Sequence, residues 1–256
     1  MIANYHTHTW RCNHARPDER AYCESAMEQG IRILGFSDHS PYPFDNGYCS
    51  SYRMECRQCR DYVDTVNHLK TEYAGKGLEI HTGFEAEYYP RYFDRLLCFL
   101  KDFEYEYLIL GQHFIDDDIT GPYSGDPNDD PAFLRAYCRQ CKEALYTGKF
   151  SCFAHPDIIR FTADDKLYRS ECRSMCRTAK ECGVPLEINL LGMAQKRFYP
   201  RKIFWEEASA VGNPVILGRD AHYAEQFGET EAEQEALKWV RELDLNLIST
   251  LDLIHP

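Results

Sequence analysis

The sequence predicts an α/β fold, a distorted (β/α)7, TIM-like barrel, and three observations support this prediction. The chain has 256 residues, a length that one barrel domain often fills, and no repeat or flexible linker divides it. Short apolar runs alternate with segments of helical period. Histidine and carboxylate residues collect where those runs end. A doubly wound open sheet is the alternative fold, and in both cases we expect a single domain over residues 1–256.

Seven apolar runs rich in β-branched residues are the strand candidates. In chain order they are residues 2–6, 32–37, 78–85, 107–112, 151–155, 185–190 and 214–219. Segments with helical period lie between them, at residues 18–30, 54–77, 133–149 and 167–183. In two of these segments the final glycine, Gly30 or Gly183, stands where a helix C-cap is expected. Strands that alternate with helices form parallel βα units, which favours the barrel.

Net charge and sequence pattern limit the binding partners and the cellular location that we expect. The formal net charge of −12 works against binding of long nucleic acids, because such proteins usually present a basic surface. No run approaches the roughly 18 apolar residues of a membrane helix, and the N-terminus lacks the pattern of a secretory signal. A cytoplasmic location is therefore expected. We expect most of the twelve cysteines to be free thiols, and for the two CRQC segments at residues 56–59 and 138–141 we favour this over a zinc or redox site.

Reactive residues follow almost every strand candidate. Seven of the ten histidines lie at these ends or in the adjoining loop: His6, His8, His14, His39, His113, His155 and His222. Asp38, Glu85 and Asp220 accompany them. In a barrel the carboxyl ends of the strands share one rim, where active sites are built. A metal site is therefore predicted at that rim, whereas His68 and His255 are expected on the surface and His81 in the core.

A set of nine or ten such residues fits a cluster of two or three metal ions. The first motif is the tripeptide His-Thr-His at residues 6–8, called the HTH motif here. Its two histidines, His6 and His8, are spaced so that both can bind one ion. A carboxylate such as Glu85 can bridge two ions. The predominance of imidazole favours zinc, iron or manganese over calcium.

Six segments, in this order, resemble the motifs of the polymerase and histidinol phosphatase (PHP) family: HTHTWRCNHA, SDHSPY, GFEAEY, GQHF, AHPD and GRDAH. The opening segment, the YRM at residues 52–54 and the chain length are similar to the stand-alone histidinol-phosphate phosphatases of that family. The resemblance implies three divalent ions held by three sets: His6, His8, Glu85 and Asp220; Glu85, His113 and His155; and His14, His39 and His222.

The resemblance also implies an activity, hydrolysis of L-histidinol phosphate to L-histidinol and phosphate in histidine biosynthesis. A hydroxide bridging two metals would attack the phosphorus. Arg160 and Arg197, after the fifth and sixth strands, are the expected phosphate-binding residues. Asp220, His222 and Asp38 are the catalytic candidates.

Several readings stay open at this point. Asp38 and Asp157 could orient imidazole rings or cap helices. The substrate could instead be a nucleotide or another small phosphoester. A hydrolase of the amidohydrolase type and a non-catalytic metal-binding module are further alternatives. Cys12 is expected to pack beneath the turn that follows the HTH motif.

The last motif departs from the family pattern. Arg219 stands where a serine is more common before the aspartate, and it could either point away from the site or pair with a neighbouring carboxylate.

Overall fold

The computed structural model describes residues 1–255, so Pro256, the last residue of the predicted domain, lies outside the described residues. Eight parallel strands form one sheet in sequential order. They are β1 Ala3–Asn4, β2 Ile33–Phe36, β3 Glu79–Ala86, β4 Tyr107–Leu110, β5 Cys152–Phe153, β6 Leu186–Asn189, β7 Pro214–Gly218 and β8 Asn246–Leu247. All seven predicted strands are present. The eighth was not predicted, because two exposed residues give no recognisable apolar pattern.

The helices alternate with the strands and cover the outside of the sheet. They are α1 Glu19–Glu28, α2 Cys59–Tyr73, α3 Phe93–Leu100, α4 Pro131–Tyr146, α5 Asp165–Glu181, α6 Leu190–Ala194, α7 Lys202–Val211 and α8 Thr230–Glu242. The first two predicted helical segments contain α1 and α2, and the other two overlap α4 and α5, which each begin two residues earlier than predicted. Gly30 and Gly183 follow α1 and α5 with φ of +77° and +70°, as expected for glycines that end helices. Within residues 1–255, no helix is long and apolar enough to cross a membrane.

The sheet curls until its first and seventh strands meet at one end. There Thr7 and Ala221 form an isolated parallel bridge, in which the His8 amide donates to the Ala221 carbonyl at 2.8 Å and the Ala221 amide to the His6 carbonyl. β8 pairs with the first two residues of β7, at the amino ends of the strands. The predicted distorted barrel is therefore confirmed and the open-sheet alternative is wrong. This closure brings the HTH segment beside the residues that follow β7.

Two apolar layers hold the barrel. The larger one fills the space between strands and helices, and includes Phe84, Phe153 and Trp205. The smaller one fills the barrel interior and consists of Ala3, Tyr5, Tyr107, Ile109, Cys152, Ala154, Ile216 and Leu251. Alternate strand residues therefore face the two layers. Glu85, His113 and Asp220 keep this alternation, since each lies an even number of residues after an inward-facing position of its strand.

Tyr107 occupies the centre of the interior layer, and two glycines make room for it. Its ring covers Gly83 and its hydroxyl lies against Gly35. The hydroxyl donates to the carbonyl of Tyr5 at 2.8 Å, so this one buried side chain connects β1, β2, β3 and β4. A Cβ atom on either glycine would overlap the Tyr107 side chain.

We predict that Gly83→Ala lowers the free energy of unfolding by about 1–3 kcal/mol, because the added methyl overpacks the barrel interior. Urea denaturation followed by circular dichroism measures the change. Gly228→Ala is the matched control, since a Cβ there meets only Gln29 at 3.8 Å. Equal midpoints for the two variants would contradict the assigned packing role of Gly83.

Candidate functional site

The predicted metal-ligating residues gather around one cavity at the carboxyl ends of the strands. The cavity has a volume of about 390 Å³, and seven of the nine residues line it: His14, His39, Glu85, His113, His155, Asp220 and His222. The other two, His6 and His8, are buried directly behind them. The rim therefore collects every position that the sequence singled out for metal binding.

Glu85 lies at the centre of this cluster, buried at the end of β3. Five histidine nitrogens approach its carboxylate: His155 at 2.8 Å, His39 at 3.0 Å, His8 at 3.5 Å, and His6 and His113 at 3.6 Å. Burial opposes its charge, but His113, His39 and His6 hold the pKa of Glu85 well below its usual range. Glu85 Oε2 nevertheless makes no hydrogen bond. A buried anionic oxygen with imidazoles on several sides and no donor fits a site for cations.

The spacing of one donor set matches a single tetrahedral ion. His8 Nε2 lies 3.2 Å from His6 Nε2, 3.0 Å from Asp220 Oδ1 and 3.5 Å from Glu85 Oε2. His6 Nε2 lies 3.5 Å from Asp220 Oδ1 and 3.6 Å from Glu85 Oε2. Tetrahedral zinc with bonds of ~2.1 Å needs ligand atoms about 3.4 Å apart. These four side chains therefore fit a metal of that size.

A second donor set, formed by His14, His39 and His222, has its nitrogens within 4.8 Å of one another. His14 follows a 3₁₀ turn at Trp10–Cys12, and Asn13 in the left-handed region (φ +68°) directs the chain back over the rim. His14 Nδ1 donates to the Cys12 carbonyl at 2.7 Å. The Cys12 side chain is buried beneath this turn, as expected, with its sulfur close to His8 and His222.

Burial and the neighbouring His8 lower the pKa of His222 to about 3. Its ring is therefore neutral at physiological pH, the form in which imidazole binds metal. His222 Nδ1 donates to the Asp220 carbonyl at 2.9 Å, which leaves Nε2 as the nitrogen available for an ion. For Asp220, burial is outweighed by His6 and His8, so its pKa is well below the usual range.

Three buried carboxylates behind the cluster each accept a hydrogen bond from the Nδ1 of one histidine. Asp38 accepts from His8 at 3.2 Å, Glu87 from His113 at 2.9 Å and Glu187 from His6 at 2.8 Å. These bonds turn each Nε2 toward the cavity. The sequence predicted this role for Asp38 but missed Glu87 and Glu187. A carboxylate in or directly after a strongly apolar strand, two positions from another polar residue, was the available signal.

Two site residues at strand ends have a strained backbone. His155 has φ of +31° and Asp220 has φ of +52°, a region that residues other than glycine rarely occupy. Because Ala154 faces the barrel interior, a regular strand would direct His155 outward. The left-handed turn reverses this direction. Strain of this kind persists only where the surrounding structure enforces it.

Arg53 forms a hydrogen-bond network next to the histidine cluster. It is fully buried and donates to Asp118 at 2.8 Å, to Glu87 at 3.2 Å and to the Ser40 carbonyl at 2.8 Å. It belongs to the YRM segment noted in the sequence, although this network was not predicted. Through Glu87 it also steadies His113.

The cavity also has a mainly aromatic wall, which adjoins the metal-type donors. Tyr52, Phe114, Tyr123 and Tyr199 line it together with Arg197. The Arg197 guanidinium donates to the Tyr199 hydroxyl at 2.7 Å. The cavity therefore combines charged groups with flat, apolar surfaces.

Two further residues that the sequence singled out, Arg160 and Asp157, make their contacts outside the cavity. Among the described residues, Arg160 is not part of the cavity lining, and its guanidinium packs over the Phe198 ring at 5.1 Å. Asp157 accepts from the indole of Trp205 at 3.1 Å and from the Arg201 amide, so it supports the start of α7. Burial raises the pKa of Asp157 to about 7.

Arg219 points away from the cavity and also forms an ion pair, so both readings of this residue hold. Its guanidinium donates to the Glu229 carbonyl and to Glu233, and its amide donates to Asn4 Oδ1 at 2.7 Å. The arginine side chain, which is the departure from the family motif, therefore links the end of β7 to α8, and the backbone amide of the same residue links it to β1.

Two known proteins match this chain over most of its length. The chain is 25% identical over 253 residues to a probable histidinol-phosphatase of Deinococcus radiodurans, covering 94% of both chains. It is 27% identical to a histidinol-phosphatase of Bacillus subtilis, covering 87% of this chain and 94% of that one.

A solved structure with the same fold is the histidinol phosphate phosphatase of Lactococcus lactis, complexed with zinc, L-histidinol and phosphate. It aligns with a TM-score of 0.77 at 16% identity and covers 99% of both chains. The model of the PHP domain matches residues 4–190, which is more than half of the sequence. The chain therefore belongs to the PHP family.

Proposed function

We propose that this protein is a metal-dependent phosphomonoester hydrolase that converts L-histidinol phosphate to L-histidinol and phosphate. The observation that carries the proposal is the cavity itself, whose lining combines Glu85 and its histidines with an aromatic wall and Arg197. The relatives named histidinol-phosphatase support the choice of substrate. We further propose that residues 1–256 act as one domain, and the cytoplasmic location stays a prediction.

We propose three divalent ions in this cavity, held by the three sets given above. Seven histidines and only two carboxylates favour zinc, iron or manganese. Divalent ions held there would supply Lewis acidity and a water activated for attack at neutral pH. The zinc in the Lactococcus lactis structure is in line with this choice.

The side chains of the chain itself perform the positioning. Asp38 lies behind His8 and is fully buried, so it orients that ring and does not touch the substrate. Asp220 and His222 face the cavity and can contact the phosphoryl group or its ions. Arg197 reaches the same space and can offset charge on the phosphoryl oxygens. The aromatic wall offers flat surfaces on which an imidazole ring can stack.

His14 is the ligand candidate with the most exposed position, and we predict that His14→Ala lowers the bound metal from about three to about two ions per chain. Turnover falls with it, because the set of His14, His39 and His222 then has one donor fewer. Elemental analysis of the dialysed protein gives the metal count. His68→Ala, an exposed histidine of α2, should retain wild-type metal and activity, and an unchanged metal count in His14→Ala would exclude its role as a ligand.

We predict that Arg197→Ala lowers kcat/KM for the phosphomonoester by about 10–100-fold, the range expected for a lost hydrogen bond between charged groups. Steady-state phosphate release measures it. Arg177→Ala removes an exposed arginine of α5 and is the matched control. If kcat/KM of Arg197→Ala equals that of the control, Arg197 does not bind the substrate.

The substrate itself is tested with a panel of phosphomonoesters and metal-loaded protein. We expect L-histidinol phosphate to give the highest kcat/KM among histidinol phosphate, nucleoside monophosphates and sugar phosphates. Faster release from a nucleotide would replace the proposed substrate with the other phosphoester class. Absence of phosphate release from every compound would overturn the phosphatase assignment.

A further inference from the structure

We infer that Glu187 and Asn189, on β6, are positioning residues that set the metal affinity of the set formed by His6, His8, Glu85 and Asp220. The inference rests on the metal sets proposed above. Neither residue belongs to those sets. Both face the barrel interior directly beneath the cluster and both are buried.

Glu187 is satisfied on both oxygens by donors. Oε2 accepts from His6 Nδ1 at 2.8 Å, and Oε1 accepts from Asn189 Nδ2 at 2.9 Å. Only a carboxylate accepts on both oxygens, whereas a glutamine would present its own NH₂ group to one of the two donors. The Nδ1 bond fixes the ring of His6 with Nε2 toward Glu85 and Asp220.

Asn189 connects this arrangement to a second ligand. Its Nδ2 donates both to Glu187 Oε1 and, at 3.1 Å, to Asp220 Oδ2. Its Oδ1 accepts from the Gly192 amide at 2.8 Å and caps α6. Because an amide N–H can donate only to the oxygen, this cap determines which way the Asn189 side chain faces. The start of α6 therefore locks the Asn189 NH₂ group between the two carboxylates.

The neighbouring strand leaves room for Glu187. Asn189 is paired in register with Gly218 on β7, and a Cβ atom on Gly218 would overlap the Glu187 carboxylate. Gly218 has no positive φ in this structure. A glycine is therefore needed here to leave space for the Glu187 carboxylate, and not to allow a positive φ.

Glu187 also differs from its counterpart Glu87. The charge of Glu87 is offset by the buried Arg53, whereas the described contacts of Glu187 are the His6 ring and the Asn189 amide. The uncompensated charge makes His6 a stronger donor to a cation. Glu187 therefore acts on the ion held by His6 and not only on the geometry.

The test is a zinc titration of metal-stripped protein in chelator-buffered zinc, compared among the wild type, Glu187→Gln and Asn189→Ala. We expect one zinc equivalent to bind about 10–100-fold more weakly in Glu187→Gln, the range measured when such supporting groups are removed. The other equivalents keep their wild-type affinity. Asn189→Ala shifts the same equivalent, and Gly218→Ala does so by displacing Glu187.

Glu106→Gln is the matched control, because Glu106 accepts from His81 Nδ1 at 3.1 Å in a similar pair outside the cavity. It should bind zinc as the wild type does. Titration curves of Glu187→Gln and Asn189→Ala that superimpose on the wild type would overturn the inference, as would equal weakening of all equivalents. Zinc binding is measured without substrate, so failure of the histidinol phosphate assay would leave this result standing.

Discussion

The buried carboxylate of Glu85 is the constraint on which the rest of the structure depends. A charged oxygen with no hydrogen-bond donor is costly in the interior, and it is stable there only if cations or imidazoles surround it. Those five imidazoles come from four strand ends, so the barrel has to bring all of these ends to one point. The left-handed backbone at His155 is a direct cost of this convergence.

Hydrogen bonds also fix the carboxylates that lie behind the histidine cluster. Each of His6, His8 and His113 is held at Nδ1 by a buried carboxylate, and each carboxylate is held in turn by a different kind of partner. Asp38 also accepts from the His39 amide, Glu87 pairs with Arg53, and Glu187 accepts from Asn189. The cavity is therefore rigid on its buried side, while the aromatic side that would meet a substrate is built from separate loops.

Much of this could be predicted from the sequence, for physical reasons. Strand periodicity placed all seven barrel strands, and the rule that parallel strands end at one rim placed His6, Glu85 and Asp220 together. The supporting residues were not predictable in the same way. Glu187 looked like one polar residue in an apolar strand, and only tertiary structure shows that it meets His6. The side-chain direction of Arg160 was likewise undetermined, since a loop arginine can reach a rim or stack on a neighbouring ring.

The bridge between Thr7 and Ala221 has a consequence for how the molecule is made. It joins segments about 200 residues apart, and contacts of such high sequence separation slow folding. Synthesis at about 5–20 residues per second puts the HTH segment outside the ribosome at least about 10 s before Asp220 exists. During that interval His6 and His8 are an incomplete chelator. Loading of the ion proposed for His6, His8 and Asp220 would therefore follow the synthesis of most of the chain.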